Sequence, residues 1–586
     1  MNIAITGEGI ISAIGTDKQQ VLEALVAGRS GIGPMRYLSS VHTELPVGEV
    51  PLSNEALKAK LHIDASTPMS RTTLMGIWAV GQAIAEAHID PKSGLRIWLI
   101  SGTTVGGMDV TESHFAQLCN DHDASYFRQH DCGSCTQAIA QYFGPCFSEA
   151  TTVSTACSSA ANALMLGARL LREGMADVVV AGGSEALSLF HLNGFNSLMI
   201  LDHKRCRPFD ATRAGLNLGE GAAYLVLESE QQAKRRGAKI HAYLTGWGNA
   251  CDAFHQTASS PEGEGATLAM TQALQEARLH PQDIAYVNAH GTGTPNNDQC
   301  ESAALRRVFS TDVLPPVSST KAFTGHATSA AGSIEAVICL LAMQHNFVPQ
   351  SLGYNTEAEG CIVPTQGESH MALTHVMCNS FGFGGNDTSL IFSLQSTDGG
   401  KAERVHTDAD IREAAHITLS DSEQLKAISQ YIKPLESRRM GRIMKASLLA
   451  SLQALDAAGI KRPDAIITAT AYGCTVNSEK ILMQMRAEGE ANVSPTLFMQ
   501  STHNTLGSNV GIRTHCHGYN ITYTQGKDSL RWALLDARML LHSGRCRSVL
   551  VGFHDELTPL LRQLLGDEAP FATEFQSQAI LLTCGG

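Results

Sequence analysis

Short apolar runs alternate along the chain with longer segments in which apolar residues recur at helical spacing. The short runs predict buried strands at 2–6, 96–104, 151–157 and 177–186. The longer segments predict helices at 16–27 and 158–174. Strands that are apolar throughout and alternate with helices are typical of an α/β protein whose parallel sheet is covered on both faces.

The apolar pattern of residues 133–187 returns near the end of the chain. At a constant offset of 370 residues, 503–557 aligns with that segment over 55 positions without a gap. Matched positions include Leu170 with Leu540, Leu171 with Leu541, Gly174 with Gly544 and Gly182 with Gly552. Residues 437–460 resemble 70–90 in the same way. We interpret this agreement as an internal duplication, although a shared helix–strand pattern can also arise by chance.

The second copy is shorter than the first, and a polar segment separates the two. Residues 569–583 fall where 207–229 stand in the first copy, and nothing after them corresponds to 250–395. The stretch 394–408 is polar, contains two adjacent glycines and follows a predicted strand at 388–394, as expected of a linker.

Length and composition bound the class of protein. A chain of 586 residues is too long for one core, and its 43% hydrophobic residues support several large ones. A net charge of −13 argues against a nucleic-acid-binding protein. No basic leader and no apolar run of the roughly 20 residues that a membrane span needs is found, so we expect a cytoplasmic protein. The 15 cysteines are too sparse for a disulfide scaffold.

Cys157 is the strongest candidate nucleophile. It lies in the segment STACSSA, where a predicted strand turns into a predicted helix, and its neighbours are small. Backbone amides and the macrodipole at a helix start favour a thiolate, so we expect a lowered pKa for this cysteine. The alternative is a buried structural cysteine that behaves as a small apolar residue.

Two histidines and a lysine occur in glycine-rich segments. His290 lies in VNAHGTGTPNND, and His326 lies in STKAFTGHATSAAG with Lys321 five residues before it. With Cys157 they form a set of nucleophilic and electrophilic groups. A further loop, NSFGFGGNDTSLIF at 379–392, offers backbone amides for an oxyanion hole. The alternative is that each histidine is an ordinary core residue.

These segments resemble the motifs of the elongating β-ketoacyl-[acyl-carrier-protein] synthases. The match also includes RPFDATRAGLNLGEGAA at 207–223, and it keeps the family's order over residues 1–395. One departure is Asn386-Asp387, where Thr-Asn is common. The resemblance implies an α/β fold of the thiolase type, with five layers (αβαβα) made of two similar halves. It also implies decarboxylative Claisen condensation of chains carried on the phosphopantetheine of an acyl carrier protein, with no other cofactor and no metal.

The resemblance also assigns roles to individual residues. Cys157 would carry the acyl group as a thioester, and the backbone amides of Cys157 and Phe383 would hold the oxyanion. His290 and His326 would stabilise the enolate as carbon dioxide leaves, each donating to the thioester oxygen. Phe383 would also gate the acyl pocket. Preorganised donors aimed at one developing charge are what this chemistry needs.

Other residues would support the site. Lys321 would orient and polarise its histidine side, while Asp298 and Glu335 would be structural members of the same network. An acidic carrier protein needs a basic surface on this acidic chain. The candidate docking residues are Arg71, Lys204, Arg205, Arg207 and Arg213.

The second part resembles the truncated ketosynthase-like proteins, equivalent to an N-terminal half, that occur with aryl polyene and related type II polyketide pathways. The segment SPTLFMQSTHNT…GYNITY carries most of this likeness. Such proteins act like chain-length factors, which are inactive partners of an active synthase. Lys527 falls where Cys157 stands, whereas chain-length factors commonly have Gln there, so we expect no synthase chemistry in this part. A Schiff-base role for Lys527 is the less favoured alternative to an exposed lysine.

The two resemblances together predict the domain organisation. We expect residues 1–250 and 251–395 to be the two synthase halves, 396–408 a linker and 409–586 the inactive repeat. Synthases of this fold dimerise through the N-terminal half. The chain is therefore expected to dimerise in that way or to form the same interface internally, as a pseudo-dimer.

Other functions agree less well with the motifs. Ordinary fatty-acid elongation is the nearest alternative, and only the fused repeat favours polyketide or polyene synthesis. A thiolase using coenzyme A would need a second cysteine in the SFGFGG loop, and a non-catalytic partner would not need Cys157, His290 and His326 together.

The second part also contains a histidine-rich segment, which raises the question of a metal site. Its candidate ligands are His503, His515, Cys516 and His517. A metal site there is disfavoured, because adjacent side chains on a strand point to opposite faces.

Overall fold

The computed structural model describes residues 1–121, 127–310, 314–396 and 410–585. Strands β1 to β19 of these residues are, in chain order, Ile3–Ser12, Ile32–Gly33, Val47–Gly48, Ile97–Gly102, Glu149–Val153, Val178–Glu185, Gly221–Ser229, Ala242–Cys251, Tyr286–Asn288, Val317–Ser318, Phe347–Val348, Glu368–Ser369, His375–Gly382, Asn386–Ser393, Ile411–Leu419, Ala465–Ala469, Tyr519–Tyr523, Ser548–Glu556 and Phe575–Cys584. The predicted linker 396–408 lies outside the described residues, apart from Ser396.

The α-helices of the described residues are named below by their bounds. They are Lys18–Val26, Asn54–Lys60, Arg71–Glu86, Met108–Asp121, Cys132–Tyr142, Ser159–Arg172, Leu189–Ser197, Glu230–Arg235, Glu264–Ala277, Pro295–Phe309, Lys321–Thr324, Ala331–His345, Pro434–Ser437, Arg442–Ala457, Thr475–Glu488, Pro495–Met499, Thr505–Thr514, Ser529–His542 and Pro559–Leu565.

Fifteen strands of the described residues form one continuous sheet, which divides into three groups of five. The orders are β1-β7-β6-β4-β5, β8-β14-β13-β9-β10 and β15-β19-β18-β16-β17. In each group the first two pairs of neighbours are antiparallel and the last two are parallel. The predicted parallel strands form the core of each unit, and two antiparallel strands extend it. The chain consists of three related half-units.

The first two groups form the five layers that the sequence predicts. Helices Ser159–Arg172 and Ala331–His345 lie between the groups and contact strands of both. Helix Arg71–Glu86 covers the outer face of the first group, and helix Glu264–Ala277 covers that of the second. The inner helices consist largely of small and apolar residues and are buried along nearly their whole length. This confirms the α/β fold with an αβαβα order.

The third group confirms the duplication and its register. Strand β17 and helix Ser529–His542 begin and end 370 residues after β5 and helix Ser159–Arg172. The match of 70–90 with 437–460 is also confirmed, since the two segments contain equivalent helices. Helix Arg442–Ala457 lies 371 residues after Arg71–Glu86, and both are 16 residues long.

The third group joins the first through the edges of β5 and β17. The Ser154 amide donates to the Thr522 carbonyl at 2.9 Å, and the Thr524 amide donates to the Thr152 carbonyl at 3.0 Å. A buried ion pair between Arg169 and Asp536, at 2.6 Å, lies behind this junction. The two strands are antiparallel, so the inactive repeat continues the sheet of the first part.

Thirteen of the fifteen cysteines are buried, and all are free thiols. They include a Cys-x-x-Cys pair, Cys132 and Cys135, in the first turn of helix Cys132–Tyr142. In the described part of the chain, every helix is too short or too polar to cross a lipid bilayer.

Candidate active site

Cys157 lies on a sharp turn between β5 and helix Ser159–Arg172. The turn depends on Ala156, whose φ of +53° is a left-handed conformation that costs an L-residue about 1–2 kcal/mol. The Ser159 hydroxyl holds the turn, because it accepts from the Thr155 amide at 2.9 Å and donates to the Ala156 carbonyl at 2.6 Å. The thiol is thereby presented at the start of the helix, 5% exposed.

The expectation of a lowered pKa for Cys157 is wrong. Burial raises the pKa of the thiol to about 11, against the opposing effects of the Lys321 charge and of a hydrogen bond from the Phe383 amide. Desolvation disfavours the charged form, and here it outweighs the helix start. The resting thiol is therefore neutral, and a neighbouring base is needed to remove its proton.

Two histidines converge on this thiol. His326 Nε2 lies 3.1 Å from Cys157 Sγ, and the rings of His290 and His326 are 5.3 Å apart at 82°. Burial, with a smaller effect from the Lys321 charge, lowers the pKa of both imidazoles well below the ordinary value. Both are neutral, and neither Nδ1 has a partner among the described residues. Each neutral ring carries one N–H, and at His326 the Nε2 atom faces the Cys157 thiol.

Glu301 positions the His290 loop, and the sequence analysis missed it. Its carboxylate accepts from the His290 amide at 2.8 Å and from the Gly291 amide at 2.7 Å. Burial raises the pKa of Glu301 to about 7. The available signal was a glutamate eleven residues after His290, on the buried face of helix Pro295–Phe309.

Lys321 and Glu335 form a buried ion pair beside the histidines. Lys321 Nζ lies 2.6 Å from Glu335 Oε1, and the side chains are 1% and 2% exposed. Burial raises the pKa of Glu335, against the opposing charge of Lys321. The structure thus brings Lys321 and Glu335 together with Cys157, His290 and His326.

Asp298 holds loops rather than facing the thiol. It accepts from the Phe209 amide at 2.7 Å and from the Gly293 amide at 3.2 Å, so it ties the 207–223 segment to the His290 loop. Burial raises its pKa to about 6. Arg213 Nε lies 3.7 Å from the same carboxylate.

Phe383 lies in a loop that packs against the Cys157 turn. Its ring stacks on that of Phe195 at 5.6 Å. The preceding Gly382 permits this approach, since a Cβ there would lie 2.7 Å from the Thr155 carbonyl oxygen. The apolar cluster that Phe383 joins also includes Phe498 of the second part, whose ring contacts Phe195 at 5.3 Å.

The predicted docking residues divide into exposed and buried ones. Lys204 and Arg205 are exposed, and Arg207 is partly buried against Asp202 at 2.8 Å. The side chains of Arg71 and Arg213 are 8% and 7% exposed beside carboxylates, so neither presents its charge freely at the surface. Arg71 forms a bidentate pair with Glu220 at 2.6 and 2.8 Å.

Arg71 and Glu220 also have counterparts in the repeat. Arg442 and Glu574 stand at the equivalent helix start and strand start, and they form an ion pair. The contact is therefore a feature that both copies share.

The second part shows a different local chemistry. Lys527 is exposed, as expected. Among the described residues, two groups have ligand atoms close enough to surround a metal ion, and neither lies in the histidine-rich segment; they are Cys157, His290 and His326, and Glu8, Glu86 and His241. The Cys516 thiol donates to the Pro463 carbonyl at 3.1 Å, and His517 contacts the Cys251 carbonyl at 3.0 Å.

Comparison with known families gives three matches along the chain. Residues 1–233 match the beta-ketoacyl synthase N-terminal domain, and 241–355 match the C-terminal domain of the same family. Residues 412–581 match a second form of the N-terminal domain. The chain is 32% identical over 413 residues to 3-oxoacyl-[acyl-carrier-protein] synthase 2 of Vibrio cholerae, covering 67% of this chain and 98% of that protein. The same enzyme of Coxiella burnetii is also 32% identical, over 406 residues, with the same coverage.

Solved structures resemble both parts. The ishigamide ketosynthase/chain length factor is 31% identical with a TM-score of 0.63, over 67% of this chain and 99% of that one. A ketosynthase in complex with its chain length factor from Xenorhabdus doucetiae is 31% identical with a TM-score of 0.59, over 67% and 98%. The PfaC keto synthase–chain length factor covers 100% of this chain and 78% of its own, with a TM-score of 0.81; at 16% identity it shows a shared fold.

Alkylation of Cys157 by iodoacetamide is expected to accelerate steadily from about pH 7 to about pH 9.5, because a pKa near 11 leaves little thiolate in this range. Lys321→Met removes the charge that opposes burial, so it should slow alkylation at each pH. Lys204→Met, an exposed lysine, should not. Rates are measured by mass spectrometry of the Cys157 peptide. A plateau below about pH 8 would contradict the neutral resting thiol.

Proposed function

Because this chain belongs to the beta-ketoacyl synthase family and is therefore an acyltransferase, we propose that it extends carrier-bound acyl chains by decarboxylative Claisen condensation at Cys157. The observation that carries the proposal is the 3.1 Å contact between Cys157 Sγ and His326 Nε2, with His290 beside it in a water-poor site. A buried thiol, two neutral imidazoles and an amide donor are the groups that acyl transfer and enolate formation need.

The first step loads the acyl group. His326 Nε2 takes the proton of the Cys157 thiol as Sγ attacks the carbonyl of the incoming thioester. The Cys157 and Phe383 amides hold the oxyanion. The carbon–sulfur bond to phosphopantetheine then breaks, and the departing thiolate takes the proton from His326, which leaves acyl-Cys157 and a free carrier thiol.

The second step extends the chain. A malonyl thioester loses its carboxyl group as carbon dioxide, and the electron pair of the broken C–C bond passes to the α-carbon and the thioester oxygen. His290 and His326 donate ring N–H groups to that oxygen, since each neutral imidazole carries one N–H donor. The α-carbon attacks the acyl-Cys157 carbonyl, a C–C bond forms, and the C–Sγ bond breaks with its electron pair on Sγ. The released thiolate takes up a proton from solvent, which restores the neutral thiol. Lys321, Glu335 and Asp298 hold the side chains and loops around the site in position.

The repeat would act as a chain-length-factor-like domain. Phe498 packs against Phe195 and Phe190 in the apolar cluster that Phe383 also contacts. Gly194 permits this approach, since a Cβ there would lie 2.2 Å from the Phe498 ring. A wall contributed by the inactive part sets how far an acyl chain extends from Cys157. This arrangement favours aryl polyene or other type II polyketide synthesis over ordinary fatty-acid elongation, the second candidate.

The partner would be an acyl carrier protein, and the interface between copies would be internal. Lys204 and Arg205 remain exposed and offer a basic surface for an acidic carrier. The β5–β17 junction supports a pseudo-dimer within one chain. We assign residues 1–250 and 251–395 to the synthase halves, 396–408 to the linker and 409–586 to the repeat.

Condensation tests the proposal directly. Acyl carrier proteins of graded chain length are mixed with malonyl-carrier protein and the enzyme, and mass spectrometry follows both Cys157 and the products. The enzyme should show an acylated Cys157 and products two carbons longer per extension, and Cys157→Ala should show neither. Cys119→Ala, which changes a half-buried cysteine outside the site, should behave as the parent protein. Extension by Cys157→Ala would overturn the mechanism.

Chain length tests the role of the repeat. Phe498→Ala should shift the longest products upward by about one or two extensions, because it removes the ring that closes the apolar cluster. Leu435→Ala is the matched control, since it removes an apolar side chain of the repeat that is 70% exposed. An unchanged product distribution in an active Phe498→Ala enzyme would contradict a chain-length role for this wall.

A further inference from the structure

The loop that carries Phe383 lies against the inactive repeat, and one side chain of the repeat binds its backbone. Asn504 Nδ2 donates to the Phe383 carbonyl at 2.7 Å. Asn504 is 1% exposed, so water does not compete for this bond. It joins residues 121 positions apart and crosses from the repeat to the synthase.

The next residue of the loop, Gly384, also lies close to the repeat. Gly384 has a φ of +83°, and a Cβ there would lie 2.2 Å from Ser508 Oγ and 2.9 Å from Asn504 Nδ2. Helix Thr505–Thr514 begins directly after Asn504. Glycine at 384 therefore permits the contact between the loop and the start of this helix.

Asn504 binds the backbone of Phe383, the same residue whose amide faces Cys157. The Phe383 amide donates to Cys157, and this bond lowers the pKa of the thiol against the larger effect of burial. Asn504 binds the carbonyl of the same residue, so amide and carbonyl are tied on opposite sides of Phe383. A shift of the loop would break both contacts together.

The oxygen atom of the Asn504 side-chain amide indicates a role beyond packing. Its Oδ1 is buried and has no partner within the described ranges. A buried acceptor without a partner lowers the free energy of unfolding. If only stability mattered at position 504, an apolar side chain would therefore be favoured there. The donor end, by contrast, makes a short bond to a carbonyl of the loop.

We infer that Asn504 is a positioning residue, through which the inactive repeat holds Phe383 so that its amide faces Cys157 and its ring covers the acyl pocket. This inference rests on the proposed function for its consequence in turnover. The repeat would then take part in the chemistry as well as in chain length, because it sets the geometry of a donor to the developing oxyanion.

The test uses the full chain with Asn504→Ala, Asn504→Asp and a matched control, Asn509→Ala. Asn509 lies on the same helix, and its Oδ1 accepts from Gln256 Nε2 at 2.9 Å, so the control also loses one bond across the junction. Condensation by the Asn504 variants should fall about tenfold, the effect of losing one hydrogen bond of ordinary strength. Asn504→Asp places a carboxylate against the carbonyl and should fall at least as far. Asn509→Ala should stay within about twofold.

Alkylation of Cys157 supplies a readout that a purely structural role would not move. The iodoacetamide profile of the Asn504 variants should shift to higher pH, because the Phe383 amide no longer stabilises the thiolate. The Asn509→Ala profile should match the parent protein. Equal rates and profiles in the parent and the Asn504 variants would overturn the inference, as would equal losses in Asn504→Ala and Asn509→Ala.

Failure of the proposed function remains distinguishable from failure of this inference. A parent protein that does not condense would refute the proposed function, while the alkylation profiles would still show whether Asn504 orients Phe383. If Asn504→Ala does not give folded protein by circular dichroism, Asn504→Ser keeps a polar group that is too short to reach the Phe383 carbonyl. The same shift is expected of it, and its absence would overturn the inference.

Discussion

The pairing of β5 with β17 is the contact on which the rest of the molecule depends. Each strand is the edge of a five-strand group, and an uncovered edge exposes backbone groups that pair with other chains. Joining the two edges within one chain satisfies these groups and fixes the repeat against the synthase. Phe498 packs in the apolar cluster that Phe383 contacts, and Asn504 reaches the Phe383 loop, as a result. The repeat contributes the strand that makes this junction.

The chemistry of the site depends on burial as much as on which residues are present. Desolvation keeps the Cys157 thiol and both imidazoles neutral, while Lys321 and Glu335 form a buried ion pair beside them. The site therefore carries no net charge before the substrate binds. Donors aimed at a single oxygen then contribute most in the transition state, where charge develops in surroundings that screen it weakly.

The sequence predicted the half-units well, because their strands and helices follow periodic patterns that survive duplication. Helix Ser529–His542 could be placed from helix Ser159–Arg172 by register alone. Contacts between segments far apart could not be predicted. The sequence suggested that Arg71 is a surface cation, whereas the structure buries it against Glu220. Nothing in the sequence linked Asn504 to Phe383, although the two residues are hydrogen-bonded. The pKa of Cys157 was predicted in the wrong direction, since helix starts are visible in sequence whereas burial depends on the whole fold.

Light scattering combined with a condensation assay on the same fractions tests most directly whether the fused repeat completes the synthase within one chain. A species with the mass of one chain, 62.5 kDa, is expected to carry full activity. Activity confined to a species of two chains, and lost when they separate, would contradict it.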